Sequence, residues 1–302
     1  MAWLWVIFTV LAAGGQTLRN ALQRELTETL GTVGATHVRF LYGLPFGLIF
    51  LTLVLIATGG PLPPLHLTWL GWTTVGAITQ ILATALLLAA MREKNFVIIT
   101  ALSKTEPVHV ALFGFVVLGE TLSLGTTLAI LIAVAGVLLM SWPSGALISA
   151  SNSSEGFTWR PIILGLVSAS VFAMSAIGFR RGILSLGDGN FVLRASTTLA
   201  AGLAIQSTLL TAYLLATSPQ TLTALFKAWR PSVKAGFMGA FASQMWFLAF
   251  AVETAAKVRT LALVEILFAG LISRKLFKQG IASREAAGIA LIVVGVVILL
   301  NQ

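Results

Sequence analysis

Cysteine is absent from the 302 residues. That excludes disulfides, thiolate metal sites and a cysteine nucleophile, and leaves the redox compartment open. Charge is scarce. Asp, Glu, Lys and Arg make up 10% of the chain, against roughly 25% in a soluble domain, so water is not the solvent for most of this surface. The three histidines, His37, His66 and His109, form no HxxxH or HxxxD cluster, which argues against a metal centre or acyl-transfer chemistry. A run of bases is missing as well. The net charge is +9, but the bases are scattered between apolar runs and never form a patch, and a positive-inside bias accounts for them better than nucleic-acid binding does. Neither a metal nor a cofactor is expected, and loops this short offer little surface to a scaffold's partner.

What fills the chain instead is hydrocarbon: 57% of residues are hydrophobic. Apolar runs long enough to cross about 30 Å of lipid number ten. They lie near 2–22, 33–58, 67–91, 95–118, 123–142, 161–182, 190–216, 232–253, 256–277 and 284–301. Breakers separate most of them, among them Gly59-Gly60-Pro61, Gly119-Glu120, Gly187-Asp188-Gly189 and Ser218-Pro219. The first run lacks a basic segment before it and a small-residue cleavage site after it, so it reads as a membrane helix and not a removed signal peptide. The sequence thus predicts an all-α, multi-pass integral membrane protein.

The runs carry a duplicated pattern. Leu102, Glu106, Leu112, Ile130, Val134, Gly136 and Val137 match Leu261, Glu265, Leu271, Ile289, Val293, Gly295 and Val296, each pair 159 residues apart. An acid and a glycine keep this register, not only interchangeable aliphatics. More weakly, Arg39 matches Arg194 and Gly76 matches Gly239. The chain divides into a first repeat over 1–142, a linker over 143–160 and a second repeat over 161–302. Five spans per repeat is an odd number, so consecutive repeats must lie in the bilayer with opposite orientation, around a shared midplane site. Bases in the odd-numbered connections (Arg19, Arg24, Arg92, Lys94, Lys227, Arg230, Arg274, Lys275, Lys278, Arg284) outnumber those in the even ones (Arg180, Arg181, Lys257, Arg259). By the positive-inside rule this places both termini outside, although some of these bases can equally line a cavity.

A charge at the centre of a membrane helix costs roughly 2.5–3.5 kcal/mol on insertion scales, so each needs a partner, a watery cavity or a task. The fourth span is the densest case, with Ser103, Lys104, Glu106, Pro107 and His109. Helical spacing puts Ser103, Glu106 and His109 or Val110 on one face, and Pro107 cannot donate to the Ser103 carbonyl. A broken ladder at membrane depth is tolerated only against protein or water, so this span should line a polar cavity. Against that stands a plain structural reading, in which Glu106 pairs with Lys104, His109 or Arg39 as glue between helices. Glu265 stands among aliphatics with no base four residues away. Gln16, Asn20 and Arg24 recur every four residues in the first span; Gly76, Gln80 and Thr84 stripe the third; Ser243, Gln244, Trp246 and Phe250 set amides beside rings in the eighth. Arg39 and Arg194 could each hold a substrate carboxylate bidentately or snorkel from a helix end.

Thr105-Glu106-Pro107, Gly114, Leu118-Gly119-Glu120-Thr121-Leu122 and Gly136-Val137 resemble the signature of the EamA-type repeat of the drug/metabolite transporter superfamily. The second copy departs from it, with Ile266 after the glutamate and Lys278-Gln279 where the first has Gly-Glu. The resemblance implies a basket of ten helices as two inverted five-helix repeats around a central cavity, alternating access by rocking of the halves, and residence in the bacterial inner membrane. It also implies a monomer or weak dimer and cytoplasmic termini, the reverse of the charge count. Solutes of such proteins include amino acids, drugs, sugar phosphates and nucleotide sugars. The polar-and-aromatic inventory leans toward amino acids and resembles the aromatic amino-acid exporter (YddG-like) branch.

The reading that follows is a secondary transporter of amino acids, aromatic ones included, and related small metabolites, with the lipid bilayer as its surroundings. Its candidate substrate-binding residues are Gln16, Asn20, Arg39, Gln80, Ser103, Glu106, His109, Arg194, Gln244, Trp246 and Glu265, with Pro107 as a helix break. Arg39, Gln80 and Gln244 would hold polar substrate groups, and Glu106 and Glu265 a cation, a proton or the substrate amino group. Gly14, Gly15, Gly76 and Gly239 would allow close helix approach. A drug exporter or a carrier of sugar-phosphate or nucleotide-sugar solutes is the alternative. An intramembrane enzyme has little support, since Gly187-Asp188-Gly189 lacks a second partnered aspartate, and no ring of polar groups suggests a channel.

Overall fold

The computed structural model describes residues 3–90, 102–141, 160–187, 189–266 and 283–302, and every regular element among them is helical. The elements are α1 (Leu4–Leu41), α2 (Leu44–Thr58), α3 (Leu67–Ala90), α4 (Glu106–Phe113), α5 (Leu124–Ser141), α6 (Arg160–Ser185), α7 (Phe191–Thr217), α8 (Pro219–Lys227), α9 (Trp229–Val252), α10 (Ala255–Leu261) and α11 (Ser283–Leu300). The expected linker and the second half of the ninth span lie outside the described residues.

By length and composition six of the described helical stretches can cross a membrane: Leu4–Thr58, Leu67–Ala89, Ile162–Ser185, Phe191–Thr217, Trp229–Val252 and Ser283–Leu300. The first, 55 residues long, holds two of the expected spans. The shorter apolar helices Glu106–Leu118 and Leu124–Met140 stand where the fourth and fifth spans were placed. Large apolar side chains face outward along these helices, with Ile56 75% and Leu124 76% exposed, as a lipid-facing surface requires.

Two boundaries differ from the sequence reading. The first helical arm does not end near residue 22 but runs on to Gly31, because Ala21 to Leu30 contain good helix formers and no breaker. Gly31 (φ +68°, ψ 176°) interrupts α1, a conformation that glycine adopts without a Cβ clash. The two arms fold back on each other there, and Gln23 Nε2 donates to the Ala35 carbonyl at 2.8 Å. The second difference is α8. Ser218-Pro219 marks a turn, but the proline also starts a helix, being tolerated in the first turn. α8 buries Leu222 and Leu225 against α1 and α7.

The three most extensive helix packings are α1 with α9, α3 with α6 and α5 with α11, and among the smaller ones are α2 with α7 and α4 with α10. These are the pairs that an exchange of the first five expected spans with the last five would interchange or map onto themselves. The joint between α5 and α11 shows how close the approach is. A Cβ at Gly136 would lie 2.7 Å from the Gly288 carbonyl oxygen, and one at Gly295 would lie 2.8 Å from that of Ala129. Residues 129 and 288, like 136 and 295, are 159 apart, so the two contacts are the same contact made from opposite sides.

Candidate functional site

Two short irregularities position the site, each immediately before one of the matched glutamates. In the fourth span the helix loosens into a turn at Lys104-Thr105, and α4 begins at Glu106 with Pro107 in its first turn. Proline offers no N–H and excludes the preceding turn from regular α-geometry. Thr105 Oγ1 bonds the Leu102 carbonyl at 2.7 Å, and Val108 N takes the Thr105 carbonyl at 3.0 Å. The expected face running regularly from Ser103 to Glu106 is therefore broken between the two. α4 then passes into a wide π-turn at Gly114–Leu118. In the ninth span no proline is present, yet α10 tightens into a 3₁₀ turn at Ala262–Val264 directly before Glu265.

These breaks bring four charges together across the two halves. Lys104 pairs with Glu265, and Arg259 lies against Glu106 at 3.1 Å. The second contact is an ion pair by distance, but Arg259 Nε points off the line to Glu106 Oε1, and neither atom makes a directed hydrogen bond. The Arg259 guanidinium also lies over the Trp246 ring at 4.3 Å and the Phe250 ring at 5.4 Å, two rings that stack at 6.1 Å. Trp246 Nε1 donates to Gln16 Oε1 at 3.2 Å. Cation, rings and amide form one packed column.

Beside it lie two more arginines. Arg19 and Arg39 are each 3% exposed, and their stems meet over Gly239, whose Cβ would stand 3.1 Å from Arg39 Cγ and 3.5 Å from Arg19 Cδ. Arg39 donates to Thr84 Oγ1 at 3.1 Å and Ser243 Oγ at 3.4 Å. Arg19 donates to Asn20 Oδ1 at 2.7 Å. Glu265 and Arg259 lie within electrostatic reach of Arg19, and Arg19 and Arg259 within that of Arg39.

Of the residues singled out in the sequence, Gln16, Asn20, Arg39, Glu106, Trp246 and Glu265 join this cluster. Glu265, read as free of a neutralising base, takes one from the other half. Ser103 is buried one residue before Lys104. His109 is half-buried and its Nδ1 faces the Thr105 carbonyl at 3.1 Å. Gln80 accepts from Gln206 Nε2 at 2.9 Å, and Gln244 Nε2 donates to Ser196 Oγ at 3.0 Å; both sit on the flank toward α7. Arg194 does not come to the cluster. It bonds the Gly187 carbonyl near the start of α7, since it lies only four residues into that helix. Gly15, Gly76 and Gly239 sit at tight contacts, whereas Gly14 has open space around it.

Sequence reasoning missed Arg19, Lys104 and Arg259 as members of the site, and Gln206 beside Gln80. Arg19 and Arg259 count among the bases of the connections that can equally line a cavity, and the structure shows them 3% and 8% exposed and within helices. The available signal was spacing: Arg19 is three residues from Gln16 and shares its face. Arg180 is a third such base. It pairs with Glu120 at 2.6 Å and also donates to the Phe250 and Glu253 carbonyls, tying the Gly119-Glu120 turn to the end of α9. Lys257 stands 3.8 Å from Glu253. A cavity of about 360 Å³ opens beside that turn, lined mainly by apolar residues such as Val108, Phe115, Leu122 and Leu131. It adjoins Glu120 alone of these charges, and its apolar lining suits a lipid chain better than a polar solute. No three His, Asp or Glu among the described residues group as a metal site.

The EamA-like transporter family matches residues 2–142, the stretch that holds Arg19, Arg39, Glu106, Pro107 and Glu120. Twenty-eight chains of solved structures match this one. In one of them, a crystal structure, the alignment covers 98% of this chain and 94% of the other, with a TM-score of 0.67 at 15% identity. At that identity the likeness shows a shared fold across the whole chain and nothing about the solute. No curated protein matches.

Proposed function

We propose that the protein is a secondary transporter that moves amino acids and related small metabolites across the bacterial inner membrane by alternating access. Its ten spans would form two inverted repeats, 1–142 and 161–302, joined by the linker 143–160. The observation that carries this reading is the pair of cross-half ion contacts, Glu106 with Arg259 and Glu265 with Lys104, each set at a break in a membrane helix. Discontinuous helices with charged groups at mid-membrane are the usual substrate and coupling sites of such carriers. The exchange-related packing of α1 with α9 and α3 with α6 supports the inverted repeat, and the family match over the first half supports a transporter rather than an enzyme.

In the working cycle, the contacts between the fourth and ninth spans hold the halves together on one side of the solute. Rocking of the halves must exchange them for contacts on the other side. Glu106 and Glu265 supply negative charge for a substrate amino group or a proton once their bases are displaced. Arg39 receives the carboxylate. Aromatic solutes gain least from this geometry, because Arg259 already covers the faces of Trp246 and Phe250. A second reading, transport of sugar phosphates or similar anions, is favoured by one observation, the excess of bases over carboxylates around Arg39.

Counterflow in proteoliposomes tests the proposal. Vesicles are preloaded with unlabelled amino acids one at a time, and entry of the labelled solute is followed with and without a pH gradient. Saturable, competed entry is expected. Absence of counterflow for every amino acid, with folded protein in the vesicles, would overturn the amino-acid reading; insensitivity to the gradient would assign the glutamates to substrate binding and not to proton coupling.

A further inference from the structure

Arg19 and Arg39 present an electrostatic problem that the described residues answer only in part. Both guanidiniums are 3% exposed, and arginine keeps its charge even when buried. Every hydrogen-bond acceptor recorded for them is a neutral side-chain oxygen, from Asn20, Thr84 and Ser243. Arg19 Nε and Nη1 and Arg39 Nε have no hydrogen-bond partner among the described residues. Buried charges are ordinarily paired with an opposite charge. Of the two carboxylates nearby, Glu106 lies against Arg259, and Glu265 pairs with Lys104 through one oxygen while its other oxygen, within electrostatic reach of Arg19, makes no hydrogen bond. Among the described residues the cluster therefore holds four cations, Arg19, Arg39, Lys104 and Arg259, against two anions. The stems of Arg19 and Arg39 converge over Gly239, which brings the two like charges near one another.

We infer that Arg19 and Arg39 form an anion subsite, and that the transported solute is a small organic acid of net negative charge whose carboxylate or phosphoryl group seats between them. The inference rests on the carrier reading and narrows it. Two forks side by side match the two oxygens of a carboxylate or the three of a phosphoryl group. Asn20, Thr84 and Ser243 fix the orientation of the forks, and Gly239 leaves room for the two stems. A solute of charge −1 or −2 offsets the local excess; a neutral zwitterion leaves it in place, and a cationic solute adds to it. Anionic members of the amino-acid class, and dicarboxylates or phosphate esters of similar size, are thus preferred over phenylalanine or lysine.

The test uses the purified full chain in detergent and then in proteoliposomes. Thermal stabilisation is measured with succinate, L-glutamate, glycerol 3-phosphate, L-phenylalanine and L-lysine, and counterflow with the same set. Stabilisation and counterflow by the anions alone are expected, and comparison of glutamate and succinate with glycerol 3-phosphate decides between carboxylate and phosphoryl. Arg19→Gln should weaken the anion response at least tenfold. Arg19→Lys, which keeps the charge and loses the fork, should retain part of it, and this variant carries the test if Arg19→Gln does not fold. Counterflow of phenylalanine with no response to any anion would overturn the subsite and leave the carrier standing. Anion stabilisation that Arg19→Gln abolishes, without counterflow of any solute, would support the subsite and overturn the carrier.

Discussion

Removing Lys104 or Glu265 singly should cost far more stability than removing both. Their side chains keep 25% and 11% of their exposure, which places the pair between two known limits. An exposed pair is worth about 0–1 kcal/mol, and deleting one partner of a fully buried pair costs about 3–5 kcal/mol. Lys104→Met alone leaves Glu265 charged beside Glu106, and Glu265→Leu alone adds an unpaired lysine to a cluster already rich in bases. For each single variant we expect a loss of about 2–3 kcal/mol, interpolated between those limits. The double variant replaces both charges with apolar groups of similar size, and such replacements are often neutral, so it should lie within about 1 kcal/mol of the parent. The coupling energy from a double-mutant cycle, read by reversible unfolding in mixed micelles, should be about 3 kcal/mol or more, at the upper end of the range of contacting residues. Single losses that simply add, to within about 0.5 kcal/mol, would refute the reasoning. Counterflow by the double variant separates function from glue: a stable but inactive protein is expected.

Glu106→Gln should lower transport at least tenfold with membrane yield intact, since Arg259 keeps its stacking on Trp246 and Phe250; equal loss of yield and transport would return Glu106 to a structural role. Arg180→Gln frees Glu120 and two carbonyls at once, so a loss of several kcal/mol is expected, charged hydrogen bonds being worth about 1.5–3 kcal/mol each; an unchanged melting temperature would deny that this bridge fastens the turn to α9. Gly136→Ala forces a methyl to within 2.7 Å of the Gly288 carbonyl oxygen and should lower the melting temperature clearly more than Gly14→Ala, where nothing lies within 4 Å. Similar melting temperatures for the two variants would contradict the tight joint between α5 and α11.

The helical character and the matched glutamates were legible because hydrocarbon length and a constant interval are properties of the chain alone. The break before Glu106 was legible from Pro107. The matching 3₁₀ turn before Glu265 was not, since Ile266 removes the local cause and only tertiary packing remains to impose it. Partner choice was hidden for a similar reason. A search for bases four residues from Glu265 could not find Lys104, which is 161 residues away in sequence and reaches it through the packing of α4 on α10. Arg19 was obscured by its neighbours: Arg24 and Glu25 look like the end of a span, although the good helix formers from Ala21 to Leu30 carry the helix on to Gly31.

The duplication keeps the paired glutamates, Glu106 and Glu265, but not the bases that answer them, and that asymmetry bears on how a carrier of this design would move. Each glutamate is answered from the opposite half, but Lys104 stands two residues before its own span's glutamate and Arg259 six before its own. Lys104 at 25% exposure is a hydrated point charge on a flexible stem, whereas Arg259 at 9% is clamped between Glu106 and two rings. Separating the first pair lets water reach both ions; separating the second strips a guanidinium of its ion contact and stacking together. If the halves rock about α5 and α11, where backbones touch at Gly136 and Gly295, the Lys104–Glu265 contact should part first and the Arg259 column should travel with α9. Glu265, released beside Arg19, is then the group placed to sense whether the anion subsite is filled.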